Sequence, residues 1–134
     1  MLNLKDIAID TKEVEVSFPG FDTFKVRIKY VSRAASKKLL EDSEVKEFKN
    51  GTLINIRRDE DKFSNLFSQH CITGWSGLTL DIVSHLILVD IGDRDPSAEV
   101  PYSSDNAAML LKNSVAFNRF IDETVFDLET FRTQ

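Results

Sequence analysis

The chain has 134 residues, a mass of 15.3 kDa and a formal net charge of −5, which is typical of one ordinary globular domain. Its single cysteine, Cys71, excludes an intramolecular disulfide framework and a zinc site built on cysteines. No apolar run approaches the roughly 20 residues of a membrane helix, and residues 1–10 lack the apolar region of a signal peptide, so we expect a soluble protein of a reducing compartment with no membrane partner.

The first predicted element is a β-hairpin in residues 13–30, where polar and apolar residues alternate on both sides of a turn. A five-residue loop, residues 19–23, would place the apolar side chains of both strands on the same face. This register pairs opposite charges, Glu15 with Arg27 and Glu13 with Lys29.

Six basic residues and no acid lie between Thr23 and Leu40. We interpret the first three as the solvated face of a strand, because they alternate with apolar residues. Nucleic-acid binding is the alternative, but residues 61–134 carry a net charge of −6 against +1 for residues 1–60, and the acidic part would repel phosphate. We therefore expect no nucleic-acid partner.

Two further elements are predicted before residue 59. Ser32 is a candidate N-cap for a short helix that ends at Leu40 or Glu41. Asn50-Gly51 is a strong type I′ turn signal and predicts a second hairpin over residues 45–57, with Phe48 opposite Leu53. Alternation is weaker here, so a mobile linker is the alternative.

From Asp59 the apolar period becomes helical. The first stripe predicts a helix with acidic residues in its first turn, where the helix dipole favours them. A glycine-containing break over residues 73–78 follows. Beyond it, a nearly continuous apolar run to Val89 predicts a second helix as the most buried element, and residues 90–99 are a polar loop. The first stripe is Phe63, Leu66, Phe67, His70 and Cys71.

Two more helices complete the chain. Ser103 or Ser104 caps a helix that runs to about Asn113, and a single last helix spans residues 117–131. The predicted fold class is α+β, with N-terminal β-hairpins packed on a C-terminal bundle of about four to five helices. We expect one domain over residues 1–134, with a β-rich part, 1–58, and a helical part, 59–134.

No group of residues indicates catalysis. His70 and Cys71 are neighbours in a helix, so their side chains diverge by about 100° and are expected to be packing residues. Asp90, Asp93 and Asp95 depart from the calcium-loop spacing and lack its glutamate. Glycine-rich phosphate loops and nucleophile elbows are also missing. We therefore expect no enzyme, no metal and no cofactor.

Five aromatic residues are the candidates for partner binding. Trp75 stands between two glycines, and it is either an interface anchor or, as we prefer, a core plug whose glycines permit close backbone approach. Tyr102 belongs to Val100-Pro101-Tyr102-Ser103, which a capping motif also explains. The others are Phe21 at the hairpin tip, and Phe126 and Phe131 near the last helix.

In order and spacing, three motifs resemble those of tail assembly chaperones from long-tailed bacteriophages. They are Gly74-Trp75-Ser76-Gly77-Leu78, then Val100-Pro101-Tyr102-Ser103-Ser104-Asp105-Asn106, then a Leu-rich and a Phe-rich helix. The N-terminal Phe18-Pro19-Gly20-Phe21 and Tyr30-Val31-Ser32-Arg33 fit a subgroup of that family. The resemblance spans about residues 13–130.

The resemblance implies a non-enzymatic, late-expressed factor of virion morphogenesis that acts in the host cell cytoplasm. Its expected partners are the phage tape measure protein, a long, largely helical and hydrophobic chain, and the tail tube protein. Such a factor leaves before the virion is complete, so it is not expected in the mature particle. Self-association is left open.

The alternative function is a structural virion protein of the phage neck or tail, such as a connector or terminator subunit. Such a subunit has a similar composition but forms a stable ring. A small nucleic-acid-binding regulator that uses residues 25–38 is a third class.

Overall fold

Strands dominate the first half of the chain and helices the second, as the α+β prediction requires. The computed structural model describes residues 2–9 and 11–132. In chain order, the elements are α1 (Leu4–Ile7), β1 (Glu13–Phe18), β2 (Phe21–Lys29), α2 (Arg33–Asp42), β3 (Glu44–Lys49), β4 (Thr52–Arg58), α3 (Glu60–Cys71), β5 (Ile72–Ser76), α4 (Leu80–Leu86), α5 (Ser104–Asn113), α6 (Val115–Val125) and α7 (Leu128–Arg132).

The first hairpin has the predicted register through most of its length. Glu13 lies opposite Lys29 and Glu15 opposite Arg27, so the expected pairing of opposite charges is confirmed. The five-residue loop is wrong, because Phe21 already pairs with Phe18 across a two-residue turn. An irregularity next to Ser17 accommodates the extra residues on β2 and keeps the apolar side chains on the core face.

A third strand, β5, joins this hairpin and gives the sheet order β1-β2-β5. It pairs antiparallel with β2, with Trp75 opposite Val26 and Ile72 opposite Ile28. The predicted break over residues 73–78 is wrong for this part of the chain, because residues 72–76 form a strand. The two glycines suggested a turn, whereas the β-branched and aromatic residues beside Gly74 favour a strand once β2 offers its edge.

The second hairpin, β3-β4, is confirmed, and the linker alternative is wrong. Phe48 lies opposite Leu53, as predicted. Asn50 and Gly51 both adopt positive φ, 53° and 78°, which a type I′ turn requires. We call residues 44–58 the arm. None of its residues is buried, although its two ends meet where the Asp59 N–H donates to the Ser43 carbonyl at 2.8 Å.

Stacked phenylalanines form the centre of the core between the sheet and α6. Phe18 lies 5.7 Å from Phe24 and 5.0 Å from Phe120 between ring centroids, and Phe24 stacks on Phe117 at 6.3 Å. Phe24 and Phe117 are fully buried. The alternating apolar positions of the sheet thus meet the apolar stripe of α6, and four of the ten phenylalanines of the chain pack together in the core.

The predicted second helix of the C-terminal part is shorter than expected. It ends at Leu86, and Ile87 is extended with φ −137° and ψ 162°. Leu88 is fully exposed and Val89 is 38% exposed, so the expectation that this would be the most buried element is wrong. Ile82 faces the core as predicted, and the apolar run simply continues past the end of the helix into the loop.

The predicted last helix is divided in two. The backbone departs from helical geometry at Phe126, which has φ −97° and ψ 0°, and α7 begins two residues later. The Asp127 carboxylate accepts a hydrogen bond from the Glu129 N–H at 3.1 Å at this new start. Phe131 is still buried, whereas Leu128 is 61% exposed.

Candidate partner-binding surface

Trp75 closes the core between β5 and the helices. Its indole N–H donates to the Val100 carbonyl at 2.9 Å, and its ring makes edge contacts with Phe24 at 6.1 Å and Phe117 at 6.4 Å between centroids. The ring is half-buried. These contacts confirm the preferred interpretation of Trp75 as a core plug.

The two glycines that flank Trp75 differ in role. Gly77 adopts φ +74°, and a Cβ there would lie 1.8 Å from the Thr23 carbonyl oxygen. A Cβ on Gly74 would meet no atom within 4 Å. Close backbone approach is therefore confirmed for Gly77 and wrong for Gly74.

Tyr102 links the start of α5 to the sheet. Its hydroxyl donates to the Ile72 carbonyl at 2.7 Å, and its ring meets Trp75 edge-on at 5.3 Å. The Ser103 hydroxyl accepts from the Asn106 N–H at 3.1 Å, so the capping interpretation of this segment is confirmed. Both polar groups of the Trp75–Tyr102 pair are thus used inside the fold.

Phe21 is half-buried near the turn of the first hairpin. Its ring packs on Phe18 at 6.0 Å and on His85 at 5.5 Å between centroids. It lies on the core side of the hairpin and at a distance along the chain from the other candidates.

Phe126 and Phe131 belong to one surface, which Tyr30 connects. One cleft of about 270 Å³ is lined by Ile9, Tyr30, Leu128 and Phe131, and a second of about 520 Å³ by Tyr30, Val31, Leu40 and Phe126, together with polar neighbours. We call the apolar residues of both clefts the Tyr30 surface. Phe131 is only 3% exposed and forms a floor, whereas Phe126 and Leu128 are 44% and 61% exposed.

The rim of the Tyr30 surface is basic. Lys12 and Arg132 border the first cleft, and Arg33 and Lys37 border the second. Lys37 lies 4.0 Å from Glu41 and Arg132 lies 3.0 Å from Glu129, but these pairs are exposed. Among residues 2–9 and 11–132, Arg33 forms no ion pair. The geometry favours a partner with an apolar stripe flanked by acidic residues.

Sequence reasoning did not single out Tyr30. Its ring packs edge-on against Phe131 at 5.2 Å, which joins the end of β2 to α7. A signal was present, because Tyr30 continues the alternation of Val26 and Ile28 beyond the end of the strand. The alternation alone gives no indication that α7 packs against Tyr30.

Three further side chains, Cys71, His70 and Asp95, have pKa values that their surroundings shift. Cys71 is fully buried, and burial raises the pKa of its thiol. Burial lowers the pKa of His70, and the charge of Lys29 lowers it further. Ser97 donates hydrogen bonds to Asp95 from its backbone N–H and its hydroxyl, which lowers the pKa of that carboxyl.

Neither a metal cluster nor a membrane helix is found in the described part of the chain. No group of three or more His, Cys, Asp or Glu residues within 2–9 and 11–132 is placed to hold a metal ion. Over the same residues, no helix has the length and apolar character needed to cross a bilayer.

The basic segment that begins at Lys25 lies largely on the first hairpin. Lys25 and Arg27 are exposed, and Arg27 faces Glu15 across the strands. These side chains occupy the outer face of the sheet, as the strand-face interpretation predicts.

Comparison with known proteins gives one match. No curated protein and no solved structure matches the chain. Residues 21–134 match the family described as YdaY prophage protein, from the start of β2 to the last residue. The chain therefore belongs to the YdaY prophage protein family and is of phage origin.

Proposed function

We propose that this prophage protein is a non-enzymatic tail assembly chaperone, which binds the tape measure protein and helps to recruit tail tube subunits during tail morphogenesis. The family match supports a phage function in general. The resemblance of the Trp75 and Tyr102 motifs to those of tail assembly chaperones supports the chaperone function in particular. Under this proposal the protein acts in the host cytoplasm and leaves before the virion is complete.

The Tyr30 surface is the observation that carries the proposal. A chaperone for a long hydrophobic helix needs an apolar groove that is open to solvent, and the two clefts share Tyr30 and so form one such surface. Apolar side chains stand exposed along it, among them Ile9 at 75% and Leu128 at 61%. Exposed patches of this kind mark interaction sites.

The test is co-expression with fragments of the tape measure protein encoded by the same prophage. We expect the wild-type protein to co-purify with a fragment and to keep it soluble. Leu128→Asp places a charge in the first cleft and Leu40→Gln removes an apolar side chain from the second, so each should lower the recovered fragment at least about tenfold.

Val115→Asp is the matched control. Val115 is 75% exposed and begins α6, where an acidic residue suits the helix dipole, and it lines neither cleft of the Tyr30 surface. Full recovery with this variant would show that the loss is local. Failure of the wild-type protein to bind or solubilise every fragment would reject the chaperone proposal, and a stable ring of six or more subunits would favour a connector or terminator.

A further inference from the structure

The arm carries exposed apolar side chains that nothing in the described chain covers. Phe48, Leu53, Ile54 and Ile56 are 61%, 45%, 59% and 49% exposed. Phe48 and Leu53 lie directly opposite each other, which places both side chains on one face of the hairpin. Two-stranded hairpins are marginally stable in water, so a hairpin with such a face gains stability when that face is covered.

The charges around this face are basic. Lys46 and Lys49 flank Phe48, and neither forms an ion pair within residues 2–9 and 11–132. The other cations of the arm are engaged: Arg57 bonds Glu47 at 2.7 Å, and Arg58 bonds Glu60 at 2.9 Å. An acidic, apolar acceptor would therefore complement the arm.

The helical half of the same chain has these properties. An apolar cleft of about 120 Å³ lies beside Trp75, lined mainly by Leu78, Val83, Ile87, Met109 and Leu110. An enclosed apolar cavity of about 150 Å³ holds a whole benzene molecule, so this smaller, open cleft accommodates part of one phenylalanine ring. We call it the Trp75 cleft.

Exposed apolar and acidic residues lie close in the chain to those that line the Trp75 cleft. Met109 is 56% exposed, and Leu88 follows Ile87 and is fully exposed. Asp105 lies one helical turn before Met109, and Asp90 follows Val89. Neither carboxylate forms an ion pair among the described residues. At the scale of the chain, residues 59–134 carry a net charge of −8 and residues 1–58 carry +3.

We infer that the arm of one copy docks in the Trp75 cleft of a second copy, with Phe48 in the cleft and Lys46 and Lys49 facing the acidic helical half of that copy. The contact joins two different surfaces, so a pair held by one such contact keeps one free cleft on the first copy and one free arm on the second. Repeated in one direction, such contacts build rings or open filaments. One hairpin buries little area, so the association is weak and reversible.

A symmetric contact between two arms fits less well. A two-fold axis between antiparallel strands places one residue opposite its own copy. If β3 paired in this way, the central residue would be Lys46 or Glu47, which sets like charges opposite each other. Along β4, the irregularity opposite Glu47 and Phe48 interrupts the ladder.

The inference does not rest on the chaperone proposal, because it involves this chain alone and neither cleft of the Tyr30 surface. The experiment is sedimentation velocity between about 1 µM and about 1 mM, the range that separates tight from weak complexes. We expect the wild-type mass to rise with concentration and to fall when salt is added, because the complementary charges are exposed.

Two variants separate the two surfaces. Phe48→Asp disables the arm, and Met109→Lys disables the cleft; both side chains are more than half exposed, so the fold should persist and circular dichroism checks it. Each variant alone should associate at least about tenfold more weakly than wild type. Mixed together, they should form a one-to-one pair and nothing larger, because one intact arm meets one intact cleft.

Three results would overturn the inference. They are a wild-type protein that stays monomeric to about 1 mM at low salt, a Phe48→Asp variant that associates like wild type, and a mixture that stays monomeric although wild type associates. The Lys46→Glu/Lys49→Glu variant gives a second check, since it should weaken association without removing an apolar side chain, whereas Val115→Asp should leave it unchanged.

Discussion

Gly77 lies against the Thr23 carbonyl so closely that a Cβ would stand 1.8 Å from the oxygen. We predict that Gly77→Ala lowers the free energy of unfolding by about 2–5 kcal/mol, because left-handed backbone costs about 1–2 kcal/mol and overpacking about 1–3 kcal/mol. Urea denaturation followed by circular dichroism measures the change.

Gly74→Ala is the control for that prediction, because the added methyl group meets no atom within 4 Å. It should change the free energy of unfolding by less than about 1 kcal/mol. Equal destabilisation by the two variants would contradict the assignment of close approach to Gly77.

The hydrogen bonds of Trp75 and Tyr102 provide a second prediction. Trp75→Phe leaves the Val100 carbonyl without its donor, and Tyr102→Phe does the same to the Ile72 carbonyl. Each should cost about 1–2 kcal/mol of folding stability, since both groups are part-buried. Trp75 is the single tryptophan, and its replacement removes the tryptophan fluorescence signal, so unfolding is followed by circular dichroism. Unchanged stability in both variants would mean that water replaces these bonds.

The Cys71 thiol should be inert in the folded protein. It is fully buried and burial raises its pKa, so the reactive thiolate is suppressed. We predict that an aromatic disulfide reagent modifies it more slowly than in urea by roughly three orders of magnitude or more, because only the rare opened molecules react. Modification at comparable rates in both conditions would show that the α3 face is accessible.

His70 should make stability depend on pH. Its folded-state pKa lies below the ordinary value of 6.5, chiefly because of burial, so at intermediate pH the unfolded chain binds a proton that the folded chain does not. The contribution to stability is full above 6.5, declines as pH falls below that value, and is lost once pH falls through the lower folded-state pKa. Urea titrations at pH 7.5, 6.5 and 5.5 should show that the free energy of unfolding declines less for His70→Gln than for wild type. Equal declines in the two proteins would show that His70 is not the source of the pH dependence.

Amide hydrogen exchange should be faster in the arm than in the core strand β2. None of its residues is buried, whereas Phe24, Val26 and Ile28 of β2 are fully buried. We predict that amides of residues 44–58 exchange early in dilute protein and those of β2 late. At high concentration the arm should become protected if it docks in a second copy. Late exchange of the arm in dilute protein would show that its two strands protect their own amides without a second copy.

Local signals predicted local structure well. Ser32, Asp59 and Ser103 were expected at helix starts, and each side chain accepts a hydrogen bond from a backbone N–H three residues later. The hairpin pairs that involve Glu15 and Phe48 were equally local. In these cases the information lies within a few residues of the feature, which is where propensity and capping act.

Distant pairing was harder to predict. Strand β5 owes its conformation to β2, and the Thr73 hydroxyl reaches the Arg27 carbonyl 46 residues earlier in the chain. The pattern of residues 72–76 gives no indication that they pair with β2. The candidate site shows the same limit: Phe126 and Phe131 were proposed from sequence, but only the position of Tyr30 shows that they share a surface.

The hydrogen bond between Asp59 and Ser43 also makes the arm a separable module. Because the chain leaves and re-enters the body at two adjacent residues, residues 44–58 can be excised and the ends rejoined by a short turn without stretching α2 or α3. Insertions at such a position leave the core untouched, so the arm can be lengthened, replaced or removed while the three-stranded sheet β1-β2-β5 is kept.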